Sequence, residues 1–136
     1  MLDALDEHAP GRCTWEFLRA PTLDALVARL GDEDKPPIDI LHFDGHGVFD
    51  RHGGLPERLA DGKLDLAQVL AGALLKDTPK KPSTESPPNT GYLLFETADG
   101  GGDPVSAEKL GLNLHRRRVP LVILSACQSA TPGPGR

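Results

Sequence analysis

A histidine and a cysteine in this chain each follow a short apolar run of the length typical of a buried strand. The run Ile38–Phe43 ends before a small-residue segment that contains His46, and the run Leu121–Leu124 ends before one that contains Cys127. In parallel α/β sheets, functional groups collect just beyond the carboxyl ends of the strands. The two segments could therefore bring a thiol nucleophile next to an imidazole base.

The thiol needs such a base because its ordinary pKa of about 8.5 leaves it mostly protonated at neutral pH. His46 could accept the Cys127 proton and later give a proton to a leaving amine. Gly47 would let a substrate approach the backbone, whose N–H groups usually stabilise the oxyanion of acyl transfer. On residue types alone, a buried structural role for Cys127 is favoured, since free cysteine is among the most buried residue types.

The spacing of His42, Asp44 and His46 allows a different chemistry. Alternate residues of a strand point to one face, so these side chains could offer nitrogen and oxygen donors to a metal ion. No further ligand cluster accompanies them in the sequence, and a metal site would leave the Cys127 segment unexplained. We therefore expect neither a metal nor a cofactor.

Composition and charge indicate one modest domain. The 136 residues carry 15 basic and 20 acidic side chains, a net charge of −5, which argues against a broad nucleic-acid surface. The first residues are acidic and lack an apolar core, so no signal peptide is expected there, and no apolar run approaches the roughly 18 residues of a membrane span. Cys13 and Cys127 suggest neither a disulfide framework nor a metal spacing, so we expect a reducing, cytoplasmic setting.

Strand-like and helix-like segments alternate along the chain, which predicts a three-layer α/β fold with a largely parallel sheet. Asp50 is expected to be a turn residue, and Leu121–Leu124 a strand with both faces covered. The expected strands are Thr14–Leu18, Ile38–Phe43, Tyr92–Glu96 and Leu121–Leu124. The expected helices are Leu23–Leu30, which a left-handed Gly31 should end, and Leu66–Leu74. A turn at Asp99–Gly102 should lead to a third, short helix that Ser106 caps and that runs through Leu110.

The proline-rich segment Lys76–Thr90 does not fit a compact core. Its composition predicts an extended inserted loop between the His46 and Cys127 strands. An exposed, tolerated insertion is the favoured interpretation, and a cover over a cleft or a cleavage site is the alternative.

Three segments together resemble one family. IDILHFDGHG at 38–47, GYLLFE at 91–96 and LVILSACQSA at 121–130 are similar to the CHAT domain, a bacterial branch of the caspase-like cysteine peptidases. The resemblance implies a caspase-like α/β/α fold, with His46 as the catalytic histidine and Cys127 as the nucleophile. It also implies that the N–H groups of Gly47 and Cys127 line the oxyanion hole, while Asp44 is a possible supporting residue.

The same resemblance implies that residues 1–136 form part of a CHAT domain in a larger protein. The expected function is a cysteine endopeptidase of bacterial signalling or defence, acting on a protein or peptide and joined to sensor or repeat domains. No nucleic-acid or membrane contact is expected for this segment. The alternative is a catalytically silent interaction module, since a fold does not fix a function.

Overall fold

The fold is known from a computed structural model, which describes residues 7–8, 11–61, 66–70 and 87–126. Its helices are α1 (Leu23–Leu30), α2 (Leu55–Ala60), α3 (Leu66–Leu70) and α4 (Ala107–Arg116). Its strands are β1 (Ile40–Asp50), β2 (Thr90–Glu96), β3 (Gly102–Ser106) and β4 (Leu121–Ala126). The described part of the chain is thus an α/β domain, as predicted.

The four strands form one mixed sheet in the order β3-β2-β1-β4. Only β1 and β4 run parallel, whereas β1 with β2 and β2 with β3 are antiparallel. The prediction of a mostly parallel sheet is therefore wrong. The reason lies in the turn at Asp99–Gly102, which was expected to lead into a helix but joins β2 and β3 as a hairpin, and a short turn suffices for an antiparallel pair.

β1 is longer than the sequence predicted, because it does not end at Phe43. It continues through His46 to Asp50, pairing with β4 along its first half and with β2 along its second half. The glycines within it do not stop the strand, since the pairing on both sides holds the backbone extended. The change of partner falls between Gly45, which pairs with Ala126, and His46, which pairs with Leu94.

Helices α1 and α4 cover one face of the sheet. Both begin at the residues that the sequence indicated: the Thr22 hydroxyl accepts the Ala25 N–H at 3.1 Å, and the Ser106 hydroxyl accepts the Lys109 N–H at 3.2 Å. α4 continues beyond the predicted Leu110 to Arg116. Gly31 does end α1, but with a φ of −91°, so its expected left-handed conformation is wrong. The buried core on this face consists of Leu23, Leu26, Leu93, Phe95, Val105, Leu110 and Leu114.

A smaller core lies on the opposite face, under α2 and α3. It contains the buried side chains of Val48, Leu55, Val69 and Tyr92. Helices thus pack on both faces of the sheet near β2, while the caspase-like three-layer arrangement stays a prediction. The expectation that both faces of β4 are covered does not hold among the described residues, because Leu121 is 48% exposed and Leu124 is 44% exposed.

Other segments depart from the prediction or lie beyond what is described. Residues Thr14–Leu18 form no strand, and Phe17 is 65% exposed. α2 and β3 were not predicted. The helix expected over Leu66–Leu74 is confirmed as far as Leu70, and residues 71–86, with most of the proline-rich segment, lie outside the described residues; Thr90 already belongs to β2.

None of the helices in the described ranges is both long enough and apolar enough to cross a membrane.

Candidate active site

His46 lies in the middle of β1, where the strand changes partners. Its Cα pairs with that of Leu94 in β2, and the residue before it, Gly45, pairs with Ala126 in β4. Its side chain is exposed. The structure therefore presents this imidazole at the surface of a strand that is paired with β2 at His46 and with β4 up to Gly45, which suits a group that must meet a substrate.

Cys127 lies outside the described residues. The parallel pairing of β1 with β4 nevertheless places the segments that lead to the two predicted catalytic residues side by side. The last described residue of β4 is Ala126, beside Gly45, and the next residues in sequence are Cys127 and His46 respectively. The structure thus shows that the strands before the two predicted catalytic residues are parallel neighbours in the sheet.

A row of polar side chains follows the exposed face of β1 and β4; we call His42, Asp44, His46 and Ser125 the polar row. The three β1 members alternate along the strand and so share a face, and Ser125 joins them because its Cα pairs with that of Asp44. The His42 Nε2 lies 2.9 Å from the Ser125 Oγ. All four residues are exposed. The polar row ends at His46, since Val48, next on that face, is buried in the smaller core.

Gly47, the predicted oxyanion-hole residue of β1, is buried and pairs with Leu93. Asp44, the possible supporting residue, lies between His42 and His46 in the polar row. The structure thus brings Gly47, Asp44 and His46 into one short stretch of strand. Their chemical roles stay predictions.

The metal alternative finds no support in the described part of the chain. No group of three or more His, Cys, Asp or Glu side chains there could hold a metal ion, although His42, Asp44 and His46 are all described. The alternating spacing puts the three on one face, but successive residues of one face lie about 6.6 Å apart along a strand, which is too far for a compact ligand set without help from other elements.

Asp50 ends β1, four residues after His46, and its side chain is buried at 1% exposure. Its Oδ1 accepts the N–H groups of His52 and Gly53, at 3.0 and 2.9 Å, and its Oδ2 accepts that of Leu55 at 3.0 Å. Asp50 was predicted to be a turn residue, but it is the last residue of β1, and its carboxylate anchors the turn that follows. Its carboxylate fixes the turn into α2 and is not available for chemistry.

Ser125 is the site residue that sequence reasoning missed. Its side chain hydrogen-bonds His42 from 83 positions away in the chain. The one local signal was polarity, because Ser125 is the only polar residue of β4.

Comparison with known proteins identifies the family of this chain. The sequence model of the CHAT domain family matches residues 4–135. The chain belongs to the CHAT domain family. No curated protein and no solved structure matches it at a significant level. The CHAT family is associated with cysteine peptidase-like domains, so this CHAT domain is a peptidase-related domain.

The match includes both predicted catalytic segments of this CHAT domain. Residues 4–135 contain the β1 segment with His46 and the segment after β4 with Cys127. The family match spans nearly the whole chain, and the strand pairing is the separate observation that brings the stretches before these two residues side by side.

Proposed function

We propose that this CHAT domain provides the catalytic residues of a cysteine endopeptidase, with Cys127 as the nucleophile and His46 as the acid and base. The observation that carries the proposal is the parallel register in which Gly45 lies beside Ala126, one residue before each proposed catalytic group. The exposure of the His46 imidazole supports it further, because a general base must reach both the thiol and the substrate.

The proposed reaction is acyl transfer in two steps. The Cys127 sulfur attacks the peptide carbonyl carbon while His46 takes the thiol proton, and His46 then donates that proton to the leaving amine as the C–N bond breaks. Water next attacks the resulting thioester, giving one proton to His46. The thiolate leaves, recovers a proton from His46, and the product is a carboxylic acid.

The oxyanion formed in each step requires preorganised donors. We assign this role to the backbone N–H groups of Gly47 and Cys127, because the family resemblance implies them and Gly47 directly follows His46 on a strand held by two partners. Asp44, two residues before His46 on the same face, is proposed to orient a cationic group of the substrate or the imidazole ring.

The test is covalent labelling by a panel of peptide electrophiles that differ in the residue before the reactive carbon. Because the free thiol of Cys13 is exposed, the parent for these experiments should be Cys13→Ala, so that adducts report on Cys127. We expect mass spectrometry to find adducts on Cys127 that depend on the peptide sequence. We expect His46→Ala to slow labelling by about 100-fold or more, the usual contribution of a general base.

A matched control uses another exposed histidine of the chain, His115 in the last turn of α4. His115→Ala should label like its parent. Labelling of Cys127 that is equally fast in His46→Ala would refute the assigned base. A folded protein that labels no faster than a small free thiol would instead favour the interaction-module alternative.

The biological setting remains part of the proposal. The family resemblance supports a protein or peptide substrate, sensor or repeat domains in the parent protein, and a cytoplasmic role in bacterial signalling or defence. Adding candidate partner proteins to the labelling reaction tests whether activity depends on such a partner.

A further inference from the structure

The hydrogen bond between His42 and Ser125 crosses diagonally from one parallel strand to the other. His42 pairs with Ile123 through its Cα, but its Nε2 reaches the hydroxyl of Ser125, which pairs with Asp44. The contact therefore links two residue pairs that are neighbours on one face of the β1–β4 ladder and that are separated by the pair of Phe43 with Leu124. A diagonal bond of this kind depends on the alignment of the two strands.

The rest of β4 specifies that alignment weakly. Apart from Ser125, the strand Leu121–Ala126 consists of apolar side chains, and its partners in β1 on the core face are Leu41, Phe43 and Gly45. A slip by one residue would exchange the two faces and is strongly opposed. A slip of β4 by two residues keeps every side chain on its face, and on the core face it still pairs apolar side chains or glycine with apolar side chains.

A two-residue slip that brings Ser125 opposite His46 would move Ser125 by about 6.6 Å away from the His42 ring, whereas the opposite slip would pair Ser125 directly with His42 and replace the diagonal contact. That displacement is more than twice the 2.9 Å that now separates the two polar atoms. It would also separate Ala126 from Gly45, and with them the two segments that carry the proposed catalytic groups. The side-chain contact and the catalytic alignment thus depend on one register.

We propose that His42 and Ser125 are positioning residues, whose hydrogen bond fixes the register of β4 against β1 and so aligns Cys127 with His46. The inference rests on the proposed function for its catalytic consequence, while the statement about register stands on the strand geometry alone. The bond can exist in either tautomer of His42, because a serine hydroxyl can donate or accept.

The test compares Ser125→Val and Ser125→Thr in the full chain that carries Cys13→Ala. The two replacements have nearly the same size and both favour a strand, but only threonine keeps a hydroxyl. We expect valine to slow the labelling of Cys127 about three- to tenfold, which is the factor expected for one net hydrogen bond, and threonine to restore most of the rate. The slower labelling should appear in the rate at which the thiol bonds to the electrophile at saturating electrophile concentration, while the binding constant of the electrophile stays unchanged.

NMR measures the register independently of any reaction. Contacts between backbone protons of β1 and β4, above all between Gly45 and Ala126, report the alignment directly. We expect these contacts to weaken or shift in Ser125→Val and in His42→Phe, and to persist in Ser125→Thr. Contacts that are unchanged in both variants without the bond would overturn the inference.

The two measurements separate the inference from the proposed function. If Cys127 is never labelled in a manner that depends on His46, the peptidase proposal fails, yet the NMR contacts still decide whether His42 and Ser125 set the register. If labelling depends on His46 but is equally fast with valine and threonine at Ser125, the positioning role fails and the peptidase proposal survives.

Discussion

The ring of Phe43 lies against the bare Cα of Gly45 on the core face of β1. A Cβ placed on Gly45 would stand 2.9 Å from the Cζ of Phe43, closer than real side chains approach one another. The ring cannot simply move aside, because it also packs against Phe95 with 5.2 Å between the ring centroids. The residue that pairs with Ala126, one position before His46, must therefore be small.

Gly45→Ala is expected to lower the free energy of unfolding by about 1–3 kcal/mol, the usual cost of overpacking a core. Urea denaturation measures the change, and an unchanged m-value would show that both proteins unfold from a comparable state. The matched control is Gly91→Ala in β2, where no atom lies within 4 Å of the added carbon. A loss as large in Gly91→Ala would show that the cause is not the contact with Phe43.

Sequence reasoning succeeded where local signals decide the structure. The capping hydroxyls of Thr22 and Ser106 and the helical spacing of apolar residues predicted the starts of α1 and α4. β3 escaped prediction because it contains glycine, aspartate and Pro104, which are depleted in strands. It forms through pairing with β2 at the edge of the described sheet, where proline is tolerated.

The same distinction applies to the candidate site. The apolar runs before His46 and before the Cys127 segment predicted a strand in each place, because each run is visible locally, but the pairing of the two strands could not be read from the sequence. The extension of β1 past Phe43 could not be read from the sequence, since glycines normally weaken a strand and only pairing with β2 overrides them. The contact of His42 with Ser125 depends on register, which no local pattern encodes.

Asp50→Asn is expected to destabilise the domain by about 2–3 kcal/mol. The buried carboxylate accepts three backbone N–H groups, whereas an amide can accept at only one atom and turns its NH₂ group toward a donor, so that an N–H is left unpaired. The free energy of unfolding should fall while the m-value stays constant. Asp39→Asn, at an exposed carboxylate, is the control and should change stability little.

The turn after Asp50 gives that prediction a second readout. Gly53 and Gly54 both have positive φ values, 83° and 85°, and Gly54 immediately precedes the fully buried Leu55. Loss of the carboxylate should therefore speed amide hydrogen exchange first at Gly53 and Leu55. Unchanged exchange at these two amides would contradict the anchoring role.

Gly111→Ala is expected to stabilise the domain by about 0.5–1 kcal/mol. Gly111 lies inside α4, and a Cβ added there would meet nothing within 4 Å, so alanine removes backbone entropy from the unfolded chain at no steric cost. The thermal midpoint should rise. Gly31→Ala is the comparison, because a Cβ at Gly31 would lie 3.0 Å from the guanidinium of Arg117. A similar gain in stability at both sites would show that the open space around Gly111 is not the cause.

Thr97→Val is expected to raise the pKa of Asp99. The carboxylate of Asp99 has its pKa held below the ordinary value of 3.8, first by the Thr97 hydroxyl that donates to it and then by the backbone N–H groups of Asp99 and Gly101. Valine removes the largest of these causes and keeps the shape. Carbon-13 NMR of the Asp99 carboxyl across an acid titration measures the shift, and Thr97→Ser, which keeps the hydroxyl, should titrate like the parent.

The sign of the accompanying stability change follows from linkage. A carboxyl whose pKa is lower in the folded state contributes stability above its unfolded pKa of about 3.9, and that contribution disappears as the pH falls through the lower folded value. The stability difference between the parent and Thr97→Val should therefore be present at neutral pH and shrink in acid. Because Asp99 is exposed to water, the difference should also shrink in high salt. A difference that grows on acidification would mean that Thr97 stabilises the turn by another route than its bond to the charged carboxylate.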